Sequence, residues 1–162
     1  MECAACENLV VYMTYEERLK KVSQNGFALD YIPEELRTPE ICLAAVQREG
    51  NTLRFVPVAL KTPELCLAAV QQEGWALYMV PVALQTPELC LVAVTQNGWA
   101  LLHVPGKLKT PKICLAAATQ RGRVLKYMPD TLITPEICLA AINEDPDALQ
   151  YSPYSILELL AK

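Results

Sequence analysis

The chain has 162 residues, 52% apolar and 20% charged, a composition that supports a packed core and excludes a largely disordered polymer. A net charge of −4, a sequence pI near 5.1 and the lack of any Lys/Arg run argue against a dedicated nucleic-acid binder. The longest apolar stretch, Trp75 to Leu84, is ten residues with a proline inside it, short of the ~18 to 20 a membrane-spanning helix needs, so no membrane insertion is expected.

The opening Met-Glu-Cys-Ala-Ala-Cys has no basic region of the kind that begins a secretory signal, which favours a cytoplasmic protein, with a secreted effector as the alternative. From there on a fixed period governs the chain. Thr14, Thr38, Thr62, Thr86, Thr110 and Thr134 stand 24 residues apart, and Gly26, Gly50, Gly74, Gly98 and Gly122 keep the same step, with Pro146 sixth in that column. Twelve prolines against six glycines are explained by the same register. Pro33, Pro57, Pro81, Pro105, Pro129 and Pro153 form one column, and Pro39, Pro63, Pro87, Pro111 and Pro135 another.

Each unit reads as two helical pieces. In Thr62 to Gly74 the threonine is an N-cap, Pro63 sits at the first helical position where its missing N–H costs nothing, and the Glu64 carboxylate faces the positive helix end. Gly74 is expected as the left-handed residue that ends this first helix of about eleven residues. The second piece, Trp75 to Val80, is about two turns and is broken by Pro81, after which Val82 to Leu84 make one further turn, in part 3₁₀. At α-helical spacing Leu77, Val80 and Leu84 face inward, and Trp75, Tyr78, Met79 and Val82 lie on the opposite face. Isolated helices shorter than ~12 to 15 residues are marginal in water, so stability must come from stacking repeat on repeat. The fold class is all-α: a right-handed α-solenoid, or α-α superhelix, of about six 24-residue two-helix repeats with a short second helix. A sheet is excluded by the missing period-two alternation and by proline recurring where a ladder needs a donor.

The unit G-W-A-L-x-x-V-P-x-x-L-x-T-P-E-[IL]-C-L-A-A-V-x-Q-x resembles a family of bacterial helical tandem repeats of about 24 residues and unknown function. The resemblance covers residues 26 to about 151 and implies an all-helical array with no general activity attached. Lys112 in place of Glu, Val92 and Ala118 in the Ala and Val columns, and Pro146 in place of Gly depart from it.

A single domain, 1–162, is expected, with 1–25 as N-terminal extension and capping helix, 26–151 as the repeats and 152–162 as a C-terminal capping helix. Glu17, Arg18, Lys20 and Lys21 replace the apolar columns of later units, as a solvated cap requires. At the other end Ile156, Leu157, Leu159 and Leu160 have no following repeat to cover them; a helix folded back as a cap is one reading and a homodimer seam the other.

Cys42, Cys66, Cys90, Cys114 and Cys138 share one helix position, and stacked layers separate their Cα atoms beyond the ~7 Å limit for a disulfide. They read as small buried hydrophobes in a reducing compartment. Cys3 and Cys6 form a C-x-x-C, weak candidates for metal binding or thiol redox chemistry, since no second C-x-x-C accompanies them and zinc wants four ligands. No metal or other cofactor is expected. Nor is an enzyme: His103 is the chain's single histidine and falls in a column with Tyr31, Phe55, Met79, Tyr127 and Tyr151, while Glu40, Glu64, Glu88 and Glu136 recur as one capping carboxylate per repeat.

Specificity in an array is written where exposed columns depart from the framework. The outward face of the second helix is most apolar in the two central repeats, at Trp75, Tyr78, Met79, Val82, Trp99, Leu102 and His103, with charged flanks. Aromatic and Met residues inside a charged rim are the composition of a protein-binding hot spot. A second candidate surface is the hydrogen-bonding ribbon of Gln71, Gln72, Thr95, Gln96, Thr119 and Gln120, suited to an extended peptide backbone. The expected function is a non-enzymatic protein- or peptide-binding scaffold; the alternative is a thiol-based metal or redox sensor built on Cys3 and Cys6.

Overall fold

The computed structural model describes residues 12–160, the side chains of Ile156 and Leu160 excepted. All regular elements among them are helical, and the chain is an all-α repeat solenoid. It forms two compact units divided between Leu84 and Gln85.

The first unit contains α1 (Tyr15–Gln24), α2 (Pro39–Arg48) and α3 (Pro63–Gln72), each followed by a six-residue 3₁₀ helix, Gly26–Tyr31, Gly50–Phe55 and Gly74–Met79, and then by a single 3₁₀ turn, Glu34–Leu36, Val58–Leu60 and Val82–Leu84. The second unit repeats the scheme with α4 (Pro87–Gln96) and α5 (Pro111–Gln120), whereas α6 (Pro135–Glu144) is followed by the 3₁₀ helix Pro146–Tyr151 and then directly by α7 (Ile156–Leu160). Within each unit the α-helices pack on one another in sequence order, as do the six-residue 3₁₀ helices, and each 3₁₀ helix also packs on its own α-helix.

The threonines do what the sequence asks of them. Thr38, Thr62, Thr86, Thr110 and Thr134 have extended backbones and accept through the side-chain oxygen from the N–H three residues on, at 3.2 to 3.4 Å, with proline next at the first helical position. Thr14 makes the full capping box with Glu17 on α1, whose only buried residue is Val22, as befits a solvated end.

The second piece differs from expectation, being 3₁₀ throughout. Three residues per turn stack i over i+3. Gly74, Leu77 and Val80 therefore share an inner face, Ala76 and Met79 a second buried one, and Trp75 and Tyr78 the outer one. Met79 is only 9% exposed, so the outer face read at α-helical spacing is corrected at that residue. Leu84 is likewise half-buried rather than inward, because the 3₁₀ winding is interrupted between Met79 and Val82 and its phase is not carried across Pro81. Leu29, Leu53 and Leu77 are fully buried in equivalent places, each contributing roughly 1.5–3 kcal/mol of burial.

The glycine column also has a different cause. No described glycine has a positive φ, so none is a left-handed helix stop. The five helices α2 to α6 instead each end on an extended residue whose N–H returns to an alanine carbonyl, as Glu49 does to Ala45 and Glu73 to Ala69, while α1 ends on Asn25 with its N–H on Lys21 O. Glycine is required because a neighbouring helix comes too close: a β-carbon on Gly26 would lie 2.5 Å from Ala45 O, one on Gly50 2.5 Å from Ala69 O, and one on Gly98 2.6 Å from Ala117 O. The same alanine carbonyls that close the helix ends are thus the surfaces against which the glycines pack.

Candidate functional site

In the first unit the 3₁₀ row presents a run of large apolar side chains to water. Val58 is 73% exposed, Val82 62%, Tyr78 54% and Trp75 39%, and Phe27 and Tyr31 are also exposed. The Arg54 guanidinium lies 5.8 Å from the Phe27 ring centroid and 5.1 Å from that of Phe55, close enough for cation–π attraction along the row. Of the sequence-predicted residues in this unit, Trp75, Tyr78 and Val82 lie on this surface and Met79 does not.

The second unit is less apolar at the corresponding columns. Trp99 is half-buried and meets Tyr127 edge-on, with ring centroids 6.2 Å apart and planes at 64°. Leu102 is exposed, but His103 is half-buried and its imidazole is held below its ordinary pKa by desolvation. Gly106 and Lys107 stand where the first unit has Val58 and Ala59. Lys126 places its ammonium 5.7 Å from the Tyr127 ring centroid and 5.9 Å from that of Tyr151. The two central repeats, read as equals from the sequence, are therefore unequal.

The ribbon residues Gln71 and Gln72 of α3, Thr95 and Gln96 of α4, and Thr119 and Gln120 of α5 are all exposed. They do not stand on a purely polar stripe. Leu67 is exposed one turn before Gln71, and Leu43, Leu91 and Leu115 are half-buried in the same column, so an aliphatic line runs beside the amides in each unit. The Thr119 hydroxyl is already engaged, donating to Ala116 O at 2.9 Å.

All five column cysteines are unpaired and fully buried. Burial pushes the thiols of Cys42 and Cys90 up to about 11 and those of Cys66, Cys114 and Cys138 upward too, so none is a thiolate nucleophile near neutral pH. Cys3 and Cys6 lie outside the described residues, among which no cluster of His, Cys, Asp and Glu has the grouping to hold a metal ion. No described helix is long and apolar enough to cross a membrane.

At the C-terminal end Leu159 is only 3% exposed, which removes it from the expected association seam: α7 packs on α6 and covers this residue. Leu157 is 76% exposed, and the side chains of Ile156 and Leu160 lie outside the described set. Ser155 and Glu158 cap α7 reciprocally, Ser155 N–H donating to Glu158 Oε2 at 2.7 Å and Glu158 N–H to Ser155 Oγ at 3.3 Å.

One set of residues escaped the sequence reading. Arg37 Nη1 donates to Phe55 O, Lys61 Nζ to Met79 O at 2.9 Å and Lys109 Nζ to Tyr127 O at 3.3 Å, so a cation in each of these repeats bonds the end of the 3₁₀ helix in the next. Arg37 also donates to Ile32 O at 2.7 Å and Asp30 O at 3.3 Å. The signal was present in one column of the 24-residue register, beside the leucine column, which holds Arg37, Lys61 and Lys109 with Gln85 between the two lysines.

Comparison with curated proteins and with solved structures gives no match. Residues 18–61, from within α1 through α2 to the end of the Val58–Leu60 turn, match the family model described as a domain of unknown function (DUF4116).

Proposed function

We propose that this protein is a non-enzymatic scaffold that captures a protein or peptide through the exposed aromatic and aliphatic 3₁₀ face of its first unit, chiefly at Trp75, Tyr78, Val58 and Val82. One observation carries the reading. The columns that hold Val58, Val82 and Tyr78 hold Glu34, Asp130, Asp30 and Lys126 in other repeats, so the framework accepts charge at these positions. Large apolar side chains that are more than half exposed, where folding does not need them, are what a binding surface leaves in water. Five reduced thiols in the core support a reducing, cytoplasmic setting.

The test is selection of a random displayed peptide library on the immobilised protein, followed by titration of enriched peptides against the wild type and the V58E/Y78E/V82E variant. Binding should weaken roughly tenfold or more, the loss of one anchor worth ~1.4 kcal/mol or more, while the circular dichroism stays helical. Failure to enrich any peptide, or equal binding to a folded triple variant, would sink the proposal.

A further inference from the structure

A second surface of the first unit has its own recognition chemistry. Between the first turns of α2 and α3 lies a cleft of about 210 Å³ whose floor and walls are Leu65, Leu43, Leu60 and Pro39, with Glu40 and Glu64 on its rim. Leu65 is buried, Leu43 and Leu60 half-buried, and both glutamates exposed. On the other side of Leu60 an open cleft is lined by Glu34, Glu35, Arg37 and Pro57. Leu60 is thus a shared wall between two hollows that carry four carboxylates. Against them stands one cation, Arg37, whose guanidinium is already donating to the carbonyls of Asp30, Ile32 and Phe55. The neighbouring Lys61 ammonium is likewise engaged by Met79 O.

Size and charge decide what fits. Small-molecule sites usually occupy roughly 300–1,000 Å³, so the apolar cleft over Leu65, at about 210 Å³, is scaled to a single bulky side chain rather than to a cofactor. The backbone N–H of Glu40 and the Thr38 hydroxyl hold the Glu40 carboxyl below its ordinary pKa, keeping it an anion at neutral pH. The second unit supplies an internal comparison: its corresponding cleft is lined by Pro87, Glu88, Leu91, Lys112 and Ile113, where the lysine replaces the second glutamate and cancels the charge. The apolar hollow recurs, but the acidic rim belongs to the first unit.

We infer that the paired clefts around Leu60 dock a cationic segment of a partner protein, which inserts one bulky apolar side chain between α2 and α3 and sets flanking Lys or Arg residues against Glu34, Glu35, Glu40 and Glu64. The carboxylates lie on both sides of the apolar hollow, so a basic residue on each side of the anchor is satisfied at once. Charge steers the encounter, and the buried side chain fixes the register. This surface shares no residue with the aromatic face, and either can fail without the other.

Fluorescence anisotropy with labelled Lys-Lys-Phe-Lys-Lys tests it against two controls, Lys-Lys-Gly-Lys-Lys and Glu-Glu-Phe-Glu-Glu. The wild type should bind the first about tenfold or more tighter than either control, since both the anchor and the charges contribute. The E40K/E64K variant should lose that binding, while E88K and V58E/Y78E/V82E should retain it. Lys112 already occupies the Glu64 column, so the fold accepts lysine there, and E34Q/E35Q provides a near-isosteric second variant should E40K/E64K unfold. Equal affinity for the glycine control would reduce the effect to non-specific charge. Equal affinity for the acidic control would make the cleft merely apolar. Either result, undiminished binding by both folded charge variants, or no binding at all overturns the inference.

Discussion

Replacing Gly50 by alanine sets two well-understood effects against each other. Since no described glycine has a positive φ, the substitution should stabilise by about 0.4–1 kcal/mol through the unfolded chain's lost freedom. The packing gives the opposite sign. The new β-carbon would lie 2.5 Å from Ala69 O and 3.0 Å from Gln72 Cβ, and the nearer atom is backbone of α3 that cannot swing aside as a side chain can. Forcing a methyl group into such a contact costs about 1–3 kcal/mol, so the net effect is destabilisation. For a chain of this length it corresponds to a fall of roughly 2–4 °C in Tm for each kcal/mol. Gly106 is the control, because a β-carbon there meets nothing within 4 Å. G106A should hold or raise the Tm while G50A lowers it, as read by circular dichroism melts of the two variants and the wild type. A G50A protein as stable as G106A would refute the claim that close approach, rather than backbone freedom, keeps the glycine column.

Two further outcomes follow from the framework. R37Q removes a cation that bonds three backbone carbonyls, one of them in the next repeat; hydrogen bonds to charged groups are worth about 1.5–3 kcal/mol, so its urea midpoint should fall clearly, and an unchanged midpoint would show the ties to be incidental. The thiols give a pH signature. Cys42 and Cys90 are raised from 9.0 to about 11, so between those values the unfolded chain binds fewer protons than the native one and stability should fall as pH rises through the window. In C42A/C90A the slope of stability against pH over that range should be shallower than in the wild type, and an identical slope would contradict the assignment.

The chain's α-helices were legible because their punctuation is chemical and local: threonine, proline and glutamate each report one position of a first turn. Cysteine burial was legible as well, since a residue repeated between leucine and alanine has only the helix interface to occupy. The form of the second piece was not. Six residues between a glycine and a proline fit two α-turns or two 3₁₀ turns equally well in composition, and only the packing selects the tighter winding. That choice moved Met79 from the face of Trp75 to the face of Ala76 and made the expected hot spot smaller. The glycines misled for a related reason: a glycine after a helix usually means a left-handed residue, whereas here it answers to a carbonyl nineteen residues further on, as Gly50 does to Ala69. The Leu60 clefts were invisible at this level, because their walls come from three segments whose juxtaposition no single repeat contains.

The ties from Arg37 to Phe55, Lys61 to Met79 and Lys109 to Tyr127 all span eighteen residues, and the glycine contacts span nineteen. Every framework contact of this kind is closed before the chain has travelled one full period. Such a polymer never searches for a distant partner, so its contact order is low and the loops that must close during folding are short ones. Insertion or loss of a whole period leaves each remaining tie with its proper mate, whereas a change of any other length puts glycine, cation and carbonyl out of phase together. The repeat number is therefore free to drift by duplication, and the period itself is not.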